Sequence, residues 1–284
     1  MGKLDKNIIV NRLARIKYLY KIGIEQSKQV EAFAGFSILT FHDSAEMFLL
    51  LILEDREETI QKNRHNKISF MEYWDLFKDL TLRKSMNNLK ERRKNIKHKG
   101  LFPSISDIEE SRITITNFFR ENTLNFFGID FDSISLADLI EFPNIKEFVL
   151  KAESCLRENK IYECLCHARI GFEELLSTYE SDKKQWYRSI FDVGEKIGTD
   201  YHRLVSNVDI AKRRWFDQVT KTTNAMRDIL KISALGINYR KYAFFNFLTP
   251  TAIETYSFDG ERKYTIESTQ FCDYKKSIKI EDCR

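Results

Sequence analysis

Turn-forming residues are scarce: three prolines and ten glycines are spread over 284 residues, too few for an all-β sandwich or barrel. Long stretches rich in Leu, Ile, Phe, Lys and Glu favour helices instead. Cysteine is absent from the first half. The five present, Cys155, Cys164, Cys166, Cys272 and Cys283, are an odd number and fit reduced thiols better than a disulfide framework. No apolar run approaches the roughly 20 residues needed to cross a bilayer; the richest is "MFLLLIL", Met47 to Leu53. The opening "MGKLDKNIIV" has no apolar core of leader length, and Lys6 stands where a myristoylation signal takes Ser or Thr. The expectation is a cytoplasmic protein with no membrane partner. There is also no Walker loop, GxGxxG, HExxH or Ser-centred elbow, so nucleotide-driven work and zinc proteolysis have no visible machinery, and no cofactor is expected.

With 43% hydrophobic and 31% charged residues, the chain can bury a sizeable core and is long enough for two ordinary domains. Its net charge of +4 is a mild excess, so the distribution of charge decides what it means. Helical periodicity runs from Ile8 to about Ile24. The stretch "VEAFAGFSILTFHDSAEMFLLLILE" predicts a second long helix, apolar on most of its circumference and hence central. After the polar "DREETIQKNRHNK", Ser69 and Glu72 form a capping-box pattern predicted to open a helix through "YWDLFKDL". Another helix, "SMNNLKERRKNIKH", should end at Lys99-Gly100, where Pro103 opposes continuation. Ser106 is predicted to open the next, closed by Gly128.

The second half echoes the first. "NFFGIDF" (Asn125 to Phe131) is answered by "SALGINY" (Ser233 to Tyr239), and "FHDSAEMFLLLILE" by "CHARIGFEELLSTYE". His42 to Gly128 spans 86 positions and His167 to Gly236 spans 69; the missing 17 fall where the first half carries "ERRKNIKHKG". These echoes predict tandem helical bundles, 1–142 and 143–250, divided near Pro143, although two unrelated amphipathic domains would share part of the pattern. After Pro250, the alternating runs of "IETYSFDGERKYTIES" flank Asp259-Gly260 and predict a β-hairpin in 251–284. The final "KKSIKIEDCR" either adds a strand or trails into solvent.

"ERRKNIKHKG" concentrates Arg92, Arg93, Lys94, Lys97 and Lys99 around His98 where a helix stops. Four residues separate Arg93 from His98 and five separate Arg92 from it. Together with the upstream "FHDSAE", this arrangement resembles the HEPN domains, small helical bundles whose signature is an Arg followed a few residues later by a His. The likeness covers the first half in layout and the second only as a degenerate copy, giving a mainly α fold of tandem HEPN-like bundles with a small C-terminal hairpin. In one respect it departs from the family: Lys94 stands where a polar Asn, Asp or His often follows the Arg, and Asn95 comes one position later.

The resemblance implies a metal-independent endoribonuclease with Arg93 and His98 as the catalytic pair and Arg92 as the alternate Arg. It further implies two motifs facing each other across a homodimer, and a role in toxin or anti-phage defence with an inhibitory or activating protein partner. Such chemistry needs a base for the ribose 2′-OH, an acid for the leaving oxygen and cations for the charge on the phosphoryl oxygens. Histidine serves as acid or base near neutrality, and arginine offers a fixed fork to phosphate. In this reading Lys94, Lys97 and Lys99 bind RNA, and Asn95 supports. His42, Asp43 and Glu46, with His42 and Glu46 one helical turn apart, orient Arg93 or His98, or else are simply satisfied at a helix surface. Residues five apart on an ideal helix are rotated by about 140°, so a second motif or a bend must complete the site.

Two blander alternatives compete. A basic last turn complements the helix dipole, with His98 as a capping partner. A non-catalytic HEPN-like module could bind RNA, a nucleotide or a protein through residues 90–99. Elsewhere, "CLCH" (Cys164 to His167) suits zinc poorly, because Cys164 and Cys166 point to different helix faces, and no metal site is expected. "KRRWFDQVTK" (Lys212 to Lys221) reads as an amphipathic helix with Trp215 and Phe216 in the core, or else as a nucleic-acid contact.

Overall fold

The computed structural model describes residues 2–56, 68–181, 184–185, 188–189, 209–257, 259 and 262–266. The protein is mainly α-helical with a small C-terminal antiparallel hairpin. It divides into two units, Met1–Glu141 and Phe142–Arg284.

In the first unit α1 (Lys6–Ser27) is opened by Asp5, whose carboxylate accepts the Asn7 N–H at 2.8 Å. There follow α2 (Glu31–Ala34), α3 (Ser37–Arg56), α4 (Tyr73–Leu76), α5 (Arg83–Lys99) and α6 (Ile105–Phe127), then 3-10 turns at Phe131–Ser133 and Leu136–Leu139. Helix α3 is central, packing against α1, α5 and α6. Its Ile38, Phe41, Ala45, Phe48, Leu49 and Ile52 are fully buried, each large side chain stabilising the fold by about 1.5–3 kcal/mol. Phe48 meets Phe118 and Phe119 edge-on, and Phe119 stacks on Phe131 at 4.8 Å.

The helix expected over residues 30–54 is broken at Gly35. A Cβ there would lie 2.7 Å from Phe102 Cδ1, and the Ser37 hydroxyl donates to the Ala34 carbonyl at 2.6 Å. The expected "YWDLFKDL" helix shrinks to the single turn of α4, because Phe77 is extended and the Trp74 indole N–H donates to the Thr81 carbonyl at 2.8 Å. Helix α6 is capped by Ser104 rather than Ser106, with Asp107 completing a reciprocal capping box. Gly100 and Gly128 end α5 and α6 at φ 64° and 65°, a left-handed conformation that glycine adopts without steric cost.

Sequence patterning gave no sign of Lys17. Its buried ammonium donates to the carbonyls of Phe131, Asp132 and Ile134 at 2.9, 2.8 and 2.7 Å, fastening the first 3-10 turn to α1.

In the second unit α7 (Pro143–Arg157) packs against α8 (Ile161–Ser181). A two-residue ladder joins β1 (Lys184–Gln185) to β2 (Arg188–Ser189), and α9 (Ile210–Ala234) and α10 (Tyr239–Leu248) follow. The expected hairpin forms: β3 (Ala252–Tyr256) pairs with β4 (Arg262–Ile266), placing Glu254 opposite Tyr264. It is tied to α8 through Glu174, which accepts from the Tyr264 hydroxyl at 2.7 Å and pairs with Arg262 at 3.3 Å.

Trp215 and Phe216 do not enter a core; they are 59% and 39% exposed. The inward positions of α9 mix half-buried Asp217, Thr220, Asn224, Arg227 and Lys231 with half-buried Ile229 and buried Ile232. Cys155 and Cys166 are half-buried and Cys164 is buried. Cys272, Cys283, the tail "KKSIKIEDCR" and residues 57–67 lie outside the described residues. No helix among the described residues is long and apolar enough to cross a membrane.

Candidate functional site

Helix α5 points a stripe of Met86, Leu89, Arg93 and Ile96 at the bundle, spaced three and four apart. Met86, Leu89 and Ile96 are buried, and Arg93 is the one charged member. Across from it, α3 offers a matching stripe through Ile38, His42, Ala45, Leu49 and Ile52, in which His42 is the one titratable group. The polar residues of both stripes meet. Arg93 Nε lies 3.7 Å from Asp43 Oδ1 and makes no hydrogen bond.

His42 is 1% exposed and stacks on Phe70 with ring centroids 4.2 Å apart. Its Nδ1 is 3.7 Å from Glu46 Oε2 and 4.0 Å from Asp43 Oδ1, separations too long for hydrogen bonds, and neither ring nitrogen has a hydrogen-bond partner among the described residues. Leaving a buried polar group unsatisfied costs about 1–3 kcal/mol. Burial, followed by the positive charges of Arg93, Lys97 and Lys90, pushes the imidazole down to about 3. His42 is therefore neutral at physiological pH, with a free lone pair.

Arg92 faces the other way. Its guanidinium donates to Ser111 Oγ at 3.0 Å, to Asp107 Oδ1 at 2.8 Å and to Glu110 Oε2 at 2.5 Å, joining α5 to α6. These ties explain its 15% side-chain exposure.

His98 is exposed in the last turn of α5, between exposed Lys97 and Lys99. Three basic residues there complement the helix dipole. The Leu101 N–H reaches the Asn95 carbonyl and the Gly100 N–H the Ile96 carbonyl, both at 3.2 Å, so the Asn95 backbone helps close the helix while its side chain is half-buried. Exposed Lys94 approaches Glu91 at 3.9 Å. Just beyond the helix end, Leu101, Phe102 and Ile105 are exposed, and Phe102 meets exposed Phe36 edge-on at 5.0 Å.

The structure thus brings Arg93 together with His42, Asp43 and Glu46 and adds Lys90, which the sequence reading had given no role. Asp43 was legible as the neighbour of His42 at the polar start of an apolar helix. Lys90 acts on His42 only because α5 lies against α3. His98 stands apart, rotated by about 140° from Arg93 along the helix. Among the described residues, the group of three residues able to offer metal ligands is His42, Asp43 and Glu46, with donor atoms all within 4.8 Å of one another. "CLCH" forms no such group: Cys164 is buried, and burial and Lys151 lower the His167 imidazole. Compared with protein-family models, with curated proteins and with solved structures, the chain matches none.

Proposed function

We propose that the protein is a metal-independent endoribonuclease of HEPN-like type that works at the end of α5. His98 acts as general acid or base, Arg93 steadies the phosphate, and Lys94, Lys97 and Lys99 hold the RNA backbone. The observation that carries this reading is the division of labour between adjacent arginines. Arg92 is engaged by Ser111, Asp107 and Glu110, whereas Arg93 makes no hydrogen bond through Nε among the described residues and pairs with Asp43 through a single 3.7 Å approach. A guanidinium held so loosely can turn to a phosphate, which it can bind in a bidentate manner.

His98 is solvent-facing and flanked by cations, as an RNA-contacting acid or base must be. One chain carries one such motif, so a homodimer would supply two. In this reading the second unit is a degenerate copy that retains the left-handed glycine, Gly236 at φ 73°, matching Gly128 at 65°. A place in toxin or anti-phage defence, with a controlling protein partner and a cytoplasmic site of action, belongs to the same proposal.

The test is incubation of the purified full chain with total RNA in EDTA, beside His98→Ala and Arg93→Ala variants checked by circular dichroism. Cleavage by the wild type and a loss of about 100-fold or more in each variant supports the enzyme, since a positioned acid or base contributes about 10²–10⁴-fold. Absence of cleavage with salt-dependent RNA binding replaces the enzyme with the non-catalytic module.

A further inference from the structure

The polar group on α3 has a property that RNA cleavage does not use. His42 is sealed from solvent, with 2% side-chain exposure, yet among the described residues neither Nδ1 nor Nε2 has a hydrogen-bond partner. Its Nδ1 is aimed at two carboxylates, 3.7 Å from Glu46 Oε2 and 4.0 Å from Asp43 Oδ1.

A first-row divalent ion bonds His nitrogen and carboxylate oxygen at about 2.0–2.2 Å, so two donors of one coordination sphere lie at most about 4.2 Å apart. Both separations fall inside that limit. The donor atoms of Asp43 and Glu46 lie within 4.8 Å of one another, a bound wider than that limit, and these half-exposed carboxylates, 51% for Asp43 and 43% for Glu46, can rotate to close it. We propose that His42 Nδ1, Asp43 and Glu46 form a site for one first-row divalent metal ion of the zinc or manganese class, on the face of α3 that meets α5.

The donor set fixes the class. An imidazole contributes little to Mg²⁺ or Ca²⁺, which take oxygen shells, whereas one nitrogen with two carboxylates suits Mn²⁺, Fe²⁺, Co²⁺ or Zn²⁺. Solvent on the carboxylate side supplies the remaining ligands, which makes the site an open one. The competitor is on the page too. Arg93 is the cation now beside Asp43 at 3.7 Å, and its positive charge opposes a metal ion at the same carboxylate. This site does not depend on the ribonuclease reading, and its test requires no RNA.

The experiment is calorimetric titration of the chelator-treated full chain with Zn²⁺, and spectroscopic titration with Co²⁺. One saturating equivalent is expected. Glu46→Gln and Asp43→Asn change half-exposed groups, so the fold survives, and each should weaken binding by about tenfold or more. Arg93→Gln should tighten it by removing the competing cation. His42→Phe, which keeps a flat ring on Phe70, should abolish it. Absence of a saturable equivalent overturns the site, as does binding indifferent to both Glu46→Gln and Asp43→Asn.

Discussion

Arg93 on α5 reaches Asp43 on α3, Nε to Oδ1 at 3.7 Å, while its neighbour Arg92 turns toward α6. Two adjacent arginines of one basic run therefore stand in different trades, and substitution should separate them. Arg92→Ala breaks a mostly buried set of charge-assisted bonds and should cost about 1–2 kcal/mol, discounted for the exposed carboxylates. Arg93→Ala removes a half-buried cation with an unsatisfied Nε and should cost less. Denaturant unfolding of the two variants beside the wild type checks the order; equal losses would contradict it.

His42→Phe should stabilise the metal-free protein by about 1 kcal/mol. The exchange removes two buried, unpartnered nitrogens and keeps a ring against Phe70, and replacing an unsatisfied polar group with an apolar one of like shape is favourable. Chemical denaturation in chelator reads the sign.

Asp107 gives a pH dependence. The Ser104 hydroxyl, then the Ser104 N–H and Arg92, hold its carboxyl below the usual carboxylate range against the opposing effect of burial. A folded-state value below the unfolded one means the stabilisation is present above roughly pH 4 and is lost as pH falls through the lower folded value. Wild type and Asp107→Asn should therefore differ by about 1 kcal/mol or less from neutrality down to about pH 5, and converge at stronger acidity. Parallel unfolding curves across the whole range would refute the assignment.

Lys17→Met should be the most damaging of these substitutions, at about 2–4 kcal/mol. Three carbonyls lose their shared donor at once, and each buried acceptor left alone is costly. Loss of amide protection confined to residues 131–139 would mark the same event by hydrogen exchange.

Where a single element carries its own signal, the sequence was readable. Gly100 and Gly128 mark helix ends because only a residue without Cβ takes φ near 65° freely. The alternating runs flanking Asp259-Gly260 signalled the hairpin, and the pairing of Glu254 with Tyr264 is what the structure adds. Helical spacing alone placed His42 beside Glu46. What stayed hidden depends on partners distant in the chain. Gly35 leaves the space that Phe102, far along the chain, fills, and Trp215 is 59% exposed although its run reads as amphipathic. The choice between Arg92 and Arg93 needed α3 and α6 in place. Even so, the spacing of Met86, Leu89 and Ile96 already put Arg93 in the inward stripe.

The clamp at Lys17 also makes that amine a reporter. Acylating reagents in water should decorate the many surface lysines quickly and spare the one whose nitrogen is already encircled by carbonyl oxygens. Mass-resolved labelling at that position would then clock how often the first unit opens.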